Sequence, residues 1–136
     1  MEDTYNLLYV EDDVGSRKVM LGLIQALPYS VGLTIFNDSK NFLPRVKSIT
    51  PQPDVILLDI HVQPHNGFEM LQMLRFDTFY ASKKIVALTA SVMNEEVKRF
   101  KEAGFDGVLA KPLKFHEFPD HMKRILATER QWMVIR

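Results

Sequence analysis

The chain has 136 residues, enough for one domain with its own hydrophobic core and no need of covalent or metal staples. Apolar residues make up 46% and charged residues 25%, and 17 basic against 17 acidic residues give a formal net charge of zero. That balance belongs to an ordinary globular protein and argues against a dedicated binder of nucleic acid or of an anionic membrane. The absence of cysteine removes disulfides, thiolate metal sites and thiol nucleophiles together. No apolar run approaches the roughly 18 residues that span a bilayer, and the start, Met1-Glu2-Asp3-Thr4, is acidic where a secretory signal is basic and then apolar. A soluble, cytoplasmic protein is the expectation.

Short apolar runs alternate with longer amphipathic stretches. Leu7-Leu8-Tyr9-Val10 stops at Glu11-Asp12-Asp13, after which Val19, Leu23, Ile24 and Leu27 recur at helical spacing and Asp13 is placed to cap. Val31-Gly32-Leu33-Thr34-Ile35-Phe36 ends at Asn37-Asp38. Phe42, Val46 and Ile49 follow, with Asp38 or Ser39 as the candidate cap. Val55-Ile56-Leu57-Leu58 ends at Asp59 and precedes Phe68, Leu71 and Leu74. Lys84-Ile85-Val86-Ala87-Leu88 ends at Thr89; Val97 and Phe100 mark the next helix, closed by Gly104. Gly107-Val108-Leu109-Ala110 ends at Lys111-Pro112, and Phe115, Phe118, Met122 and Ile125 form the last helical face. Pro44 and Pro119 fall inside the second and fifth helices, where an interior proline costs about 3 kcal/mol, so those helices are expected to start late or kink.

Five continuous apolar strands alternating with five helices predict a parallel α/β sheet covered on both faces. In such sheets ligands bind beyond the carboxyl ends of the strands. Those ends carry Glu11, Asp12 and Asp13, then Asp59, Thr89 and Lys111. Each alone is compatible with a turn, a cap or a solvated loop. Brought together, they would crowd carboxylates that a hard cation such as Mg²⁺ and an ammonium can neutralise, beside a hydroxyl donor. A carboxylate in that company can act as the nucleophile of phosphoryl transfer.

The blocks Leu8-Tyr9-Val10-Glu11-Asp12-Asp13, Asp54-Val55-Ile56-Leu57-Leu58-Asp59-Ile60, Asn66-Gly67, Ala87-Leu88-Thr89-Ala90 and Ala103-Gly104-Phe105-Asp106-Gly107-Val108-Leu109-Ala110-Lys111-Pro112 stand in that order. In them the chain resembles the receiver domain of two-component response regulators, of the single-domain type, from about Tyr5 to Thr128. The resemblance implies a flavodoxin-like, doubly wound, five-stranded parallel sheet of order 2-1-3-4-5 with five helices. It implies a receiver over residues 1–128 and a C-terminal tail over 129–136. It implies Asp59 as phospho-acceptor, Thr89 and Lys111 against the phosphoryl group, and Mg²⁺ held by Asp12, Asp13, Asp59 and the main-chain carbonyl of His61. A cis peptide at Lys111-Pro112 is common in the family. A histidine kinase or phosphotransfer protein would supply the phosphoryl group. The domain would catalyse its own phosphorylation and hydrolysis, without being a metabolic enzyme. The downstream protein target would bind the face formed by the fourth helix, fifth strand and fifth helix, and a homodimer through that face is a further expectation. Neither nucleic acid nor membrane is an expected partner.

Three departures accompany the match. The family places Tyr or Phe three residues before the lysine, where this chain has Val108. It often has Met-Pro three and four residues after the acceptor, where this chain has Val62-Gln63 and then Pro64. Positions two beyond the acceptor and two beyond the threonine, His61 and Ser91, are those that tune phosphoryl lifetime in the family. The alternative is a degenerate receiver that binds partners without phosphorylation. A haloacid-dehalogenase-like phosphatase would need an Asp at His61, and no glycine-rich phosphate loop supports nucleotide binding. The apolar run Trp132-Met133-Val134-Ile135 is expected to pack back on its own domain rather than lie exposed.

Overall fold

The computed structural model describes residues 4–127 and 129–136; Met1, Glu2, Asp3 and the expected domain end at Thr128 lie outside them. Strands β1 (Tyr5–Val10), β2 (Val31–Phe36), β3 (Val55–Asp59), β4 (Lys84–Thr89), β5 (Gly107–Ala110) and β6 (Met133–Ile135) alternate with helices α1 (Val14–Gln25), α2 (Phe42–Lys47), α3 (Gly67–Phe76), α4 (Asn94–Ala103) and α5 (Phe118–Leu126), β6 following α5. The strands form one parallel sheet in the order β2-β1-β3-β4-β5-β6.

The sheet therefore has six strands rather than five. The first five keep the doubly wound order, and the extra strand is built from the apolar tail, whose Met133, Val134 and Ile135 pair with Gly107, Val108 and Leu109. The tail does pack on its own domain, by a sheet ladder. β5 thereby becomes an interior strand.

Residue alternation along each strand divides the core into two layers. Leu8, Val10, Ile56, Leu58, Ile85, Ala87 and Val108 pack under α2, α3 and α4. Leu7, Tyr9, Val55, Leu57, Val86, Leu88 and Leu109 pack under α1 and α5. Both faces being covered explains the strands' unbroken apolar runs. Each fully buried Leu or Ile contributes about 1.5–3 kcal/mol against its exposed form.

The prolines are accommodated at helix starts. α2 begins at Phe42, so Pro44 sits in its first turn, where no intrahelical N–H bond is lost. α5 starts late, at Phe118, with Pro119 in the first turn. Phe115 is thus outside the helix and exposed, and Val19 also faces outward while Met20, Leu23 and Ile24 form the buried stripe of α1. Asp38 and Ser39 do not cap α2, whose N-cap is Asn41. Gly104, at φ 114°, closes α4. Among the described residues no helix is long and apolar enough to cross a membrane.

Candidate functional site

The register sets the polar residues side by side at the carboxyl edge. Val10 pairs with Leu58, so Glu11 follows on from β1 next to Asp59, the last residue of β3. Asp59 pairs with Leu88, and Thr89 with Ala110, so Thr89 and Lys111 emerge beside them. The Lys111 N–H donates to the Thr89 carbonyl at 2.8 Å, and the Lys111-Pro112 peptide is cis.

Lys111 is the hub. Its Nζ donates to Asp59 Oδ1 at 2.8 Å and also to Glu11 Oε1. Burial alone pulls the ammonium's pKa down; hydrogen bonds and Coulomb attraction from Asp59 and Glu11 outweigh that, and the net shift is upward. Glu11 is only 1% exposed, and its Oε1 also accepts the Tyr9 hydroxyl at 2.8 Å. Burial first, then the neighbouring Glu11, pushes the Tyr9 phenol well up, so Tyr9 remains a donor. Asp59 Oδ2 accepts the His61 N–H at 3.1 Å, and the His61 side chain is exposed. Thr89 is buried, its Oγ1 accepting the Ser91 N–H at 3.2 Å.

Glu11, Asp12 and Asp59 each bring a carboxylate oxygen to within 4.8 Å of the others. Asp13, placed in the acidic pair by resemblance, is not in that cluster. Its Oδ2 accepts the Ser16 N–H at 2.7 Å as the N-cap of α1, and that bond holds its carboxyl below the usual range. Glu11 stands in its place. Strand alternation puts Glu11 on the side of Tyr9, while Asp13 is the last residue before the helix, where aspartate is a favoured N-cap.

Sequence reasoning took Ser39 only as a candidate cap and missed what it does. It is fully buried, and its hydroxyl donates to the His65 carbonyl and accepts the His65 N–H, both at 2.7 Å. Its N–H donates to the Gln63 carbonyl at 3.1 Å. One small side chain thus clamps the loop that follows Asp59. Nothing local distinguishes it from a serine in any loop.

The family model for the response regulator receiver domain matches residues 7–123. This chain belongs to that family. As a receiver it is 30% identical over 114 residues to stress response regulator protein 1 of Candida dubliniensis, a match covering 82% of this chain and 39% of that protein. It is 27% identical over 123 residues to the polar-differentiation response regulator DivK of Brucella ovis, covering 90% of this chain and 97% of that one. The chain thus spans only 39% of the Candida relatives. The receiver domain of a sensor histidine kinase of Pseudomonas aeruginosa PAO1, solved with a magnesium ion coordinated in its active site cleft, shares the fold with a TM-score of 0.76 at 22% identity, over 91% of this receiver and 98% of that chain.

Proposed function

We propose that the chain is a phosphorylation switch of a two-component relay, with Asp59 as the acceptor. The observation that carries this is the junction of Asp59 with Lys111, Glu11 and Asp12 at one point of the sheet edge. Receivers act with histidine kinases or phosphotransfer proteins, and phosphohistidine is the donor proposed here. A cleft of about 430 Å³ lies beside Lys111, with Val19, Pro112 and Leu113 among its walls.

An Asp59 oxygen attacks phosphorus in line, the P–N bond breaks, and its electron pair returns to the imidazole, which takes up a proton. Lys111 holds the acceptor carboxylate in place and afterwards pairs with the phosphoryl oxygens. Thr89 donates its hydroxyl to one of them. Hydrolysis reverses the state: water attacks phosphorus, the acyl phosphate P–O bond breaks, and Asp59 is restored with release of phosphate.

The donor set suits Mg²⁺, being three hard carboxylates, two buried and one exposed. Glu11, Asp12 and Asp59, with the His61 main-chain carbonyl, would hold it. Mg²⁺ supplies neutralisation of charge on the transferring group. The downstream target is proposed to bind the face of α4, β5 and α5, on which β6 also lies.

Intact-mass spectrometry after incubation with Mg²⁺ and acetyl phosphate tests the reading. One phosphoryl adduct on the wild-type chain and none on Asp59→Asn is the expected result. A wild-type chain that stays unmodified, even with a phosphohistidine donor, would replace this reading by partner binding without phosphorylation.

A further inference from the structure

β6 makes no contribution to the phosphoryl site, yet the rest of the molecule is shaped to hold it. Gly107 leaves room for the strand: a Cβ there would sit 2.9 Å from the Met133 carbonyl oxygen. The buried Lys84 points its ammonium at the carbonyls of Arg124, Ala127 and Glu129, at 3.0–3.2 Å, and so ties the end of α5 to the start of the tail. Arg130 pairs with the buried Asp106 at 2.9 Å. Trp132 packs on the core layer beneath α4, with Lys101 over its ring at 5.9 Å.

The attachment is also slight. The ladder is three residues long, and Trp132 and Val134 are only half-buried. Short, partly exposed elements of this kind open locally at low cost. At the far end, Arg136 Nη2 donates to the Val92 carbonyl at 3.4 Å, in the loop between β4 and α4. The same loop is held at its start by the bond from the Ser91 N–H to Thr89 Oγ1. Two hydrogen bonds thus separate the tail from Thr89.

We propose that β6 is a self-docked strap whose release is coupled to the chemistry at Asp59, a coupling that rests on the phosphorylation proposed above. A phosphoryl oxyanion on Asp59 attracts the Thr89 hydroxyl as a donor. Drawing that oxygen away from the Ser91 N–H lets the loop shift and carries off the Val92 carbonyl that Arg136 holds. The docked strap and the phosphorylated site then oppose each other, and linkage makes the opposition reciprocal.

Trp132 is the chain's one tryptophan, so its emission reports the strap directly. The full chain is treated with Mg²⁺ and beryllium trifluoride, a phosphoryl mimic that binds at equilibrium, and in parallel with acetyl phosphate, whose adduct is followed by mass. The expected result is a red-shifted Trp132 emission and amide exchange at residues 133–135 accelerated severalfold. Gly107→Ala, which expels β6 without touching the site, should show the shifted emission before any addition and bind the mimic more tightly by the same factor. Arg136→Ala, for which folding is not at issue, should keep the resting emission and lose most of the response. An adduct that forms while emission and exchange stay unchanged would overturn the coupling and leave the phosphorylation reading standing. Absence of both adduct and mimic binding would overturn both.

Discussion

The carboxyl edge and the β5–β6 edge both rest on buried charge, but they are built differently. At the carboxyl edge one ammonium, Lys111, serves two carboxylates, and Glu11 is almost fully enclosed; among the described residues its side-chain donors are Lys111 and the Tyr9 hydroxyl, with the Asp13 N–H at 3.3 Å as a backbone donor. At the tail edge one carboxylate, Asp106, takes bonds from Arg75 at 2.9 Å, from Arg130 at 3.0 Å and from the Ile85 N–H at 2.8 Å. The first arrangement is scarce in cations and open to a further one. The second is saturated and structural. The exchange of counter-charge proposed for the first arrangement requires that it not be fully satisfied beforehand, whereas a fastening can be.

Removing a cation from each edge puts that contrast to the test. Lys111→Met leaves Glu11 buried without its cation and is expected to cost about 3 kcal/mol in urea unfolding, the usual penalty for an orphaned buried charge. Arg130→Met leaves Asp106 with Arg75 and a backbone donor and is expected to cost about 1 kcal/mol. Equal losses at the two positions would remove the distinction.

The two edges were not equally legible in the sequence. Five strands, five helices and the residues at the strand ends could be read because each strand is an unbroken apolar run with its polar residue at the stop. β6 could not be read as a strand. Three apolar residues after Trp132 fit a strand or a helix end equally well, and only a glycine 26 positions earlier in the chain, at 107, makes room for them. Val108 follows the same logic. It departs from the family's aromatic residue at a position that is here fully buried between β4 and β6, so it is not at a sheet edge. Among Glu11, Asp12 and Asp13, composition is silent about which two lie close to Asp59; the α1 cap takes Asp13 away and leaves Glu11 and Asp12.

A smaller contrast appears at alkaline pH. Lys111 has a raised pKa in the folded chain, so its contribution is whole below the unfolded value near 10.4 and is lost as pH climbs through the folded one. Lys84, in the tail fastening, is lowered, chiefly by burial. Between its folded and unfolded values the unfolded chain binds more protons, so its contribution to stability rises with pH. Comparing wild type with Lys111→Met and with Lys84→Met above about pH 9 should therefore give differences of opposite slope. Slopes of the same sign would contradict the opposed surroundings of the two ammonium groups.

The smallest effect is expected at His61. Its backbone N–H already binds Asp59 Oδ2, while the residue itself is exposed. The aspartyl phosphate proposed at Asp59 is lost to water that must approach phosphorus in line, from the side opposite the acyl oxygen. An exposed side chain two residues beyond Asp59 changes how that water reaches and orients on its target without altering the bond being broken. His61→Ala is accordingly expected to change the phosphoryl half-life by a fewfold, equivalent to about 1 kcal/mol or less in the barrier, while leaving adduct formation and unfolding stability unchanged. The half-life is read by following loss of the adduct mass after the phosphodonor is removed. If it matches wild type, the side chain has no part in access to the site. If adduct formation fails as well, the substitution has disturbed the Asp59 loop that Ser39 clamps, and His61 belongs to the positioning of the acceptor instead.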